Sequence, residues 1–333
     1  MRGMKTELPK TMHWAQATFA MALACLLSCV PSQGFATPPQ AEPRIRVDVN
    51  LVLVEATVKD KAGRVMKVLK KDDFLLDEDG VPQEIAHFSR DQLPLAVALV
   101  VDLSNSIEPF LRPLRYATLT ALKALKPEDE VALFTFSSDV QQRVELTRDK
   151  RDVSDQIEFF STGGATNING GVYEAARYLR DAAPAARRVI VLVSDNVPTA
   201  DGGVSPKEVA NAALQADAAV YSLKVPGRNP FPARLAAGAM RRGLVNVGQL
   251  TAETGGEVFD IEKEGSLFLA FQALIERLKT RYTLGFYPAR ATQSGGYREL
   301  NLRLHPSFGL KGRDYAVLAK RGYYPARPRA ASH

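Results

Sequence analysis

Residues 95–106, Leu-Ala-Val-Ala-Leu-Val-Val-Asp-Leu-Ser-Asn-Ser, are the stretch that decides the predicted fold. The first seven are all apolar, which is typical of a strand buried on both faces of a parallel sheet. Polar residues follow as soon as that run ends. Because ligands of open α/β sheets bind at the carboxyl ends of the strands, the same stretch also marks a candidate site.

Three further apolar runs resemble the first, and segments with helical periodicity lie between them. This alternation of strand and helix predicts a mainly parallel sheet with right-handed crossovers. An amphipathic helix is predicted over 263–279, and we expect residues 94–280 to form one doubly wound α/β domain. The other predicted strands are 131–136, 188–193 and 218–223, and the other predicted helices are 110–125, 170–183 and 206–216.

Short segments of alternating polar and apolar residues flank this domain on both sides. Neither flank has enough strands for an independent sheet. Because the termini of a domain usually lie close together, we expect the two flanks to pair into one small β-sandwich, with the α/β domain inserted between them. The flanks are residues 41–92, with strands predicted at 45–58, 74–77 and 84–88, and residues 281–325, with strands predicted at 282–287, 299–304 and 315–318.

The N-terminal residues have the layout of a secretory signal, with a basic start, an uncharged apolar run over 14–30 and small residues around Ala36. We predict that residues 1–36 are a signal peptide and that the protein is exported to the periplasm, the cell surface or the medium. Two alternatives stay open. The run could be an uncleaved anchor, at the lower edge of the length that spans a bilayer. Leu-Leu-Ser-Cys, ending at Cys29, could be a lipobox, so that the protein is a lipoprotein anchored at Cys29.

Composition excludes several classes of function. The chain is 46% hydrophobic and 24% charged with a formal net charge of +6, which is ordinary for a globular protein. It has no helix dense in Lys and Arg and no recognised nucleic-acid module, so nucleic acid is not an expected partner. It also lacks Cys/His metal spacing, a P-loop and a dinucleotide-binding glycine motif.

Three polar clusters follow predicted strands or precede a predicted helix. The first is 102–106, with Asp102, Ser104 and Ser106. The second is 163–167, which contains Thr166, and the third contains Asp195. Any one cluster could be a turn or a helix N-cap, where Ser, Thr, Asp and Asn are favoured. Their joint occurrence predicts a site at the strand exits.

These clusters resemble the metal-ion-dependent adhesion motif of von Willebrand factor A domains. Residues 102–106 are similar to its D-x-S-x-S, residues 163–167 to its G-G-x-T-N loop, and Asp195 to its strand-end Asp, with Asn196 standing where that family has Gly. The flanks also resemble those of the VWFA-related family seen in many acidobacterial genomes. The opening strand pattern ends at Gly63, and Y-x-L-G-Y-Y-P is matched at 282–288.

The resemblance implies a binding module that holds a divalent cation and, through it, a partner's Asp or Glu carboxylate. Hydroxyl and carboxylate oxygens suit Mg²⁺; Mn²⁺ could substitute, and Ca²⁺ is less expected because bidentate carboxylates are not evident. We do not expect an enzyme, although a metal-assisted hydrolase of the cell envelope is the alternative. The expected metal ligands are Asp102, Ser104, Ser106, Thr166 and Asp195.

Overall fold

The structure is a computed structural model that describes residues 51–90, 93–227, 243–264, 266–288, 296–306 and 314–325. These residues all belong to one compact unit. The predicted signal peptide and Cys29 lie outside the described residues. Within the described part of the chain, no helix has the length and apolar character needed to cross a membrane.

A six-stranded sheet forms the centre of the α/β region. Its strands are β5 (Leu95–Asp102), β6 (Glu130–Phe136), β7 (Val140–Thr147), β8 (Arg187–Ser194), β9 (Ala218–Lys224) and β10 (Val258–Asp260). They lie in the order β10-β9-β8-β5-β6-β7, and only β7 is antiparallel to its neighbour. Every residue of β5 is buried, as its apolar run predicts. The predicted mainly parallel sheet is therefore confirmed.

Helices cover both faces of this sheet. They are α1 (Leu111–Ala124), α2 (Lys150–Glu158), α3 (Ile168–Ala182), α4 (Pro206–Gln215), α5 (Val247–Thr254), α6 (Ile261–Glu264) and α7 (Leu267–Lys279). One apolar core joins the sheet to α1, α2 and α7, and a second core joins its other face to α3, α4 and α5. The sheet is thus the middle layer of three.

The helix predicted over 263–279 is wrong in its extent. The structure has two helices there, and the second begins only at Leu267. Ser266 is its N-cap in an extended conformation, and its hydroxyl accepts a hydrogen bond from the backbone of Leu269. A Ser that satisfies a first-turn N–H in this way favours a new helix start over continuation of the preceding one.

Strands from the two ends of the described chain pair with one another. They are β1 (Val52–Asp60), β2 (Phe74–Glu78), β3 (Val81–Gln83), β4 (Ile85–Ser89), β11 (Tyr282–Phe286), β12 (Arg298–Leu304), β13 (Tyr315–Ala319) and β14 (Gly322–Tyr323). One sheet has the order β13-β1-β11-β4 and the other β14-β12-β2-β3. Their apolar side chains share one core. The predicted sandwich of N- and C-terminal strands is therefore confirmed, whereas the exact domain limits stay a prediction.

Candidate metal centre

The three predicted clusters meet at the carboxyl edge of the central sheet. Strands β5 and β8 are parallel neighbours, with Val101 opposite Val193. Asp102, which ends β5, and Asp195, which follows β8, therefore leave the sheet side by side. The loop with Thr166 precedes α3, whose first residue is Ile168.

A closed ring of hydrogen bonds joins the three loops. The N–H of Gly163 donates to the carbonyl of Leu103 at 2.7 Å, which joins the second loop to the first. The N–H of Thr199 donates to the carbonyl of Thr166 at 3.0 Å, which joins the third loop to the second. The Ser194 hydroxyl donates to Asp102 Oδ2 at 2.6 Å and closes the ring. The relative position of the loops is thus fixed by the fold itself.

Asp102 is a buried carboxylate held by two donors. Its Oδ1 accepts from the N–H of Ser104 at 2.8 Å, and its Oδ2 accepts from Ser194. Burial raises the pKa of Asp102 from 3.8 to about 6, although the hydrogen bonds from Ser194 and Ser104 oppose the rise and the charge of Asp195 adds to it. Water is excluded from this carboxylate, and among the described residues no basic group forms an ion pair with it, so a cation beside it would be stabilising.

The hydroxyls of Ser104 and Ser106 lie 3.0 Å apart, in hydrogen-bonding contact. Ser104 is the N-cap residue of a 3₁₀-helix, Asn105–Phe110, but its side chain makes no capping hydrogen bond. The short helix instead places the two hydroxyls side by side. Helix capping therefore does not explain the Ser104 hydroxyl, and the pair is available as neutral ligands.

Thr166 is held by its backbone, which leaves its hydroxyl free. Its N–H donates to Thr199 Oγ1 at 2.8 Å, and its carbonyl accepts from the N–H of Thr199. The cap of α3 is the next residue, Asn167, whose side chain accepts from the N–H of Gly170 at 2.9 Å. Within the described residues, the Thr166 hydroxyl forms no hydrogen bond, so capping does not explain this residue either.

The turn after β8 tolerates the replacement of Gly by Asn. Asn196 has φ +59°, in the left-handed region that Gly adopts freely and that Asn enters more readily than most residues. Its side-chain oxygen accepts a hydrogen bond from Ser222 Oγ at 2.9 Å, which holds this turn against β9. Asp195 Oδ1 in turn accepts from the N–H of Val197 at 3.0 Å.

Three residues to which the sequence assigned no role support the site. Ser194 donates to Asp102, and Ser138 Oγ accepts from the N–H of Ala165 at 3.1 Å beside Thr166. Gly227 packs against the carboxylate of Asp195 so closely that a Cβ there would overlap it. Ser138 follows β6, another parallel strand, so the strand-exit criterion could have found it. Gly227 carries no local signal, because its role depends on a contact between loops.

The donor set fits a hard cation. Three hydroxyls and two carboxylates offer only oxygen donors. Among the described residues, no cluster of three or more His, Cys, Asp and Glu side chains offers another kind of metal site. Both oxygens of Asp102 already accept protein hydrogen bonds, so we expect Asp102 to face the ion through water. Mg²⁺ commonly keeps several of its waters in proteins, which agrees with this arrangement.

Solved structures to which the chain is similar share little sequence with it. An aerotolerance-related membrane protein from Bacteroides fragilis NCTC 9343 is 19% identical over 55% of this chain and 98% of its own, with a TM-score of 0.42. BatB from Bacteroides thetaiotaomicron is 18% identical over 55% and 97%, at 0.39. The PilB minor pilin from Streptococcus sanguinis is 14% identical over 58% and 63%, at 0.41.

The family comparison covers the candidate site directly. No curated protein matches the sequence. Residues 97–197, which include every predicted metal ligand, match the family model described as "von Willebrand factor type A domain". The chain therefore contains a region that matches the von Willebrand factor type A family, and that region lies in the α/β part of the fold.

Proposed function

We propose that this protein is an exported binding module that holds Mg²⁺ at the carboxyl edge and, through the ion, an acidic group on a protein partner. One observation carries the proposal. Hydrogen bonds join the three loops that carry three hydroxyls and two carboxylates, within the region that matches a von Willebrand factor type A domain. The proposed ligands are Asp102, Ser104, Ser106, Thr166 and Asp195.

The neutral ligands at the site leave the ion able to take a further oxygen donor from outside. Asp102 and Asp195 together carry two negative charges, which one divalent cation offsets. The hydroxyls of Ser104, Ser106 and Thr166 are neutral and leave the ion electrophilic. A partner's carboxylate is an oxygen donor of the kind Mg²⁺ prefers, and it would take a position that water holds in the free protein.

Binding is favoured over the metal-assisted hydrolase that the sequence left as the alternative. Such a hydrolase needs a general base beside the ion, most often a histidine. Of the four histidines, the structure describes His87 and His305. His87 lies in β4 and His305 directly follows β12, so both belong to the sandwich and not to the carboxyl edge.

Export forms part of the proposal and rests on the sequence of residues 1–36. A surface or periplasmic location would expose the carboxyl edge to partners outside the cytoplasm. Attachment to a membrane is proposed only through a lipid on Cys29, if the lipobox is used instead of cleavage after Ala36.

The experiment is a test of coupling between the ion and an acidic ligand. Mg²⁺ is titrated into the folded protein by calorimetry, alone and with a short glutamate-containing peptide present. Each ligand must tighten the other's binding by the same factor if both occupy one site. Ser106→Ala should weaken both, whereas Ser154→Ala, which removes a hydroxyl on α2, should change neither. Mg²⁺ and peptide affinities that are independent of each other would contradict the proposed mode of binding.

A further inference from the structure

A second polar region lies at the opposite end of β8 from the candidate metal centre. Arg187 begins this strand and Ser194 ends it, so about 23 Å of strand separates the two regions. Here a cavity of about 130 Å³ lies between the α/β sheet and the sandwich. The charged residues that line it are Arg187, Arg188, Arg281, Lys320, Glu55 and Asp217.

The cavity has an excess of buried positive charge. Four of its lining side chains are cations and two are carboxylates, a net of +2. The side chains of Arg281, Arg187 and Lys320 are only 2%, 6% and 10% exposed, whereas that of Asp217 is 46% exposed. The cations are therefore more deeply buried than the carboxylates that face them, and buried charge is costly unless it is paired.

One carboxylate serves two of the guanidinium groups. Glu55 Oε2 lies 3.4 Å from Arg187 Nε and 3.5 Å from Arg281 Nη1. Burial lowers the pKa of Arg187; the charge of Glu55 opposes this shift, and the charge of Arg281 adds to it. A single negative charge shared in this way does not offset both cations.

The arginines also retain unused hydrogen-bond donors. The Nε atoms of Arg187, Arg188 and Arg281 are buried and make no hydrogen bond, although Glu55 Oε2 lies 3.4 Å from that of Arg187. These are all the unpartnered buried nitrogens of side chains in the described part of the chain, and all three residues line this one cavity. A buried donor without an acceptor is destabilising, so the concentration of three such donors here points to an acceptor that the described residues do not supply.

Volume sets the size of that acceptor. One water needs about 10–15 Å³ of cavity volume, so about 130 Å³ accommodates a small polyatomic ion with some water. A tetrahedral oxyanion has several oxygens that can accept from separate guanidinium and ammonium groups. Its charge of up to −2 also matches the net charge of the lining residues.

We propose that this cavity binds a small tetrahedral oxyanion, phosphate or sulfate, which stabilises the junction between the α/β sheet and the sandwich. Arg187 and Arg188 belong to β8, whereas Arg281 directly precedes β11 and Lys320 directly follows β13. An ion among these four side chains would join the sheet to the sandwich. This site is separate from the candidate metal centre and does not depend on it.

The test uses the full mature chain in EDTA, so that no divalent cation occupies the candidate metal centre. Thermal unfolding is followed while sodium phosphate is raised from micromolar to 10 mM, with sodium chloride at equal ionic strength and sodium acetate as comparisons. We expect the melting temperature to rise with phosphate once its concentration passes Kd, as for any ligand that binds only the folded state. If phosphate acts no differently from chloride, or if acetate matches it at equal concentration, the proposal is overturned.

Substitutions of lining residues test whether the phosphate-dependent rise in melting temperature arises in this cavity. Lys320→Gln and Arg188→Gln each remove one lining cation, and each should weaken phosphate binding about tenfold or more, the usual consequence of losing one hydrogen bond to a charged group. Lys123→Gln removes an exposed lysine on α1 and should leave the phosphate response unchanged. The proposal fails if both lining variants keep the parent's affinity. Because each variant is compared with itself in chloride, a lower starting stability does not obscure the result.

Discussion

Replacing Asp102 by Asn should stabilise the cation-free protein at neutral pH. The change keeps the size of the side chain and removes its charge. The amide oxygen can still accept from the N–H of Ser104, and the amide nitrogen can donate to the hydroxyl of Ser194. The main difference is that a fully buried negative charge is lost.

The magnitude follows from the pKa of Asp102. Folding raises this pKa from 3.8 to about 6, so the folded state holds the proton to higher pH than the unfolded state does. The stabilising contribution of the protonated group is complete below about pH 3.8 and is lost as pH rises through about 6. At pH 7 the ionised carboxylate therefore costs about 3 kcal/mol, and at pH 5 about half of that.

The assay is urea unfolding of the parent and the Asp102→Asn variant in EDTA at pH 5 and pH 7. We expect the variant to be more stable at both pH values, with the larger gain at pH 7. Asp155→Asn, which removes an exposed carboxylate on α2, is the matched control and should change the free energy of unfolding by less than about 0.5 kcal/mol. A variant that is less stable than the parent at pH 7 would refute the view of Asp102 as a buried, uncompensated charge.

Three further predictions concern other parts of the molecule. Gly227→Ala should weaken Mg²⁺ binding measured by calorimetry, because the new methyl group would displace the carboxylate of Asp195; unchanged affinity would exclude that carboxylate as a ligand. Deletion of residues 281–333 removes β11 from between β1 and β4, so hydrogen exchange in β1 should become much faster, and full protection of β1 after the deletion would contradict the shared sandwich. Mass spectrometry of exported protein should find a chain that begins at Thr37, or at lipidated Cys29, and an intact N-terminus on cytosolic protein would contradict export.

The sequence predicted the parallel sheet well because its strands are buried on both faces. Continuous apolar runs such as 95–101 are typical of strands that are buried on both faces of a parallel sheet. Strands of the sheet edge were harder to find. The edge strand β7 is mostly polar and β10 has only three residues, so neither has the pattern of a buried strand, and both were missed.

The positions of the candidate site residues could be predicted where those residues lie at strand exits. Asp102 and Asp195 follow directly from the ends of two neighbouring parallel strands, and the structure brings their loops together. The supporting contacts were not predictable in the same way. Gly227 and Thr199 matter through contacts with other loops, and those contacts exist only once the chain has folded. The same holds for the cationic cavity, whose residues come from distant segments.

Calorimetric titration of Mg²⁺ into the folded protein is the direct test of whether the candidate metal centre binds a cation. We expect saturable binding to the parent, a matching rise in melting temperature with Mg²⁺ concentration, and loss of both in Asp102→Asn. Ser104→Ala should bind more weakly, because it removes one neutral ligand without changing the net charge. An identical response of the parent and Asp102→Asn to Mg²⁺, with and without an acidic peptide present, would contradict the assignment of a metal site to these residues.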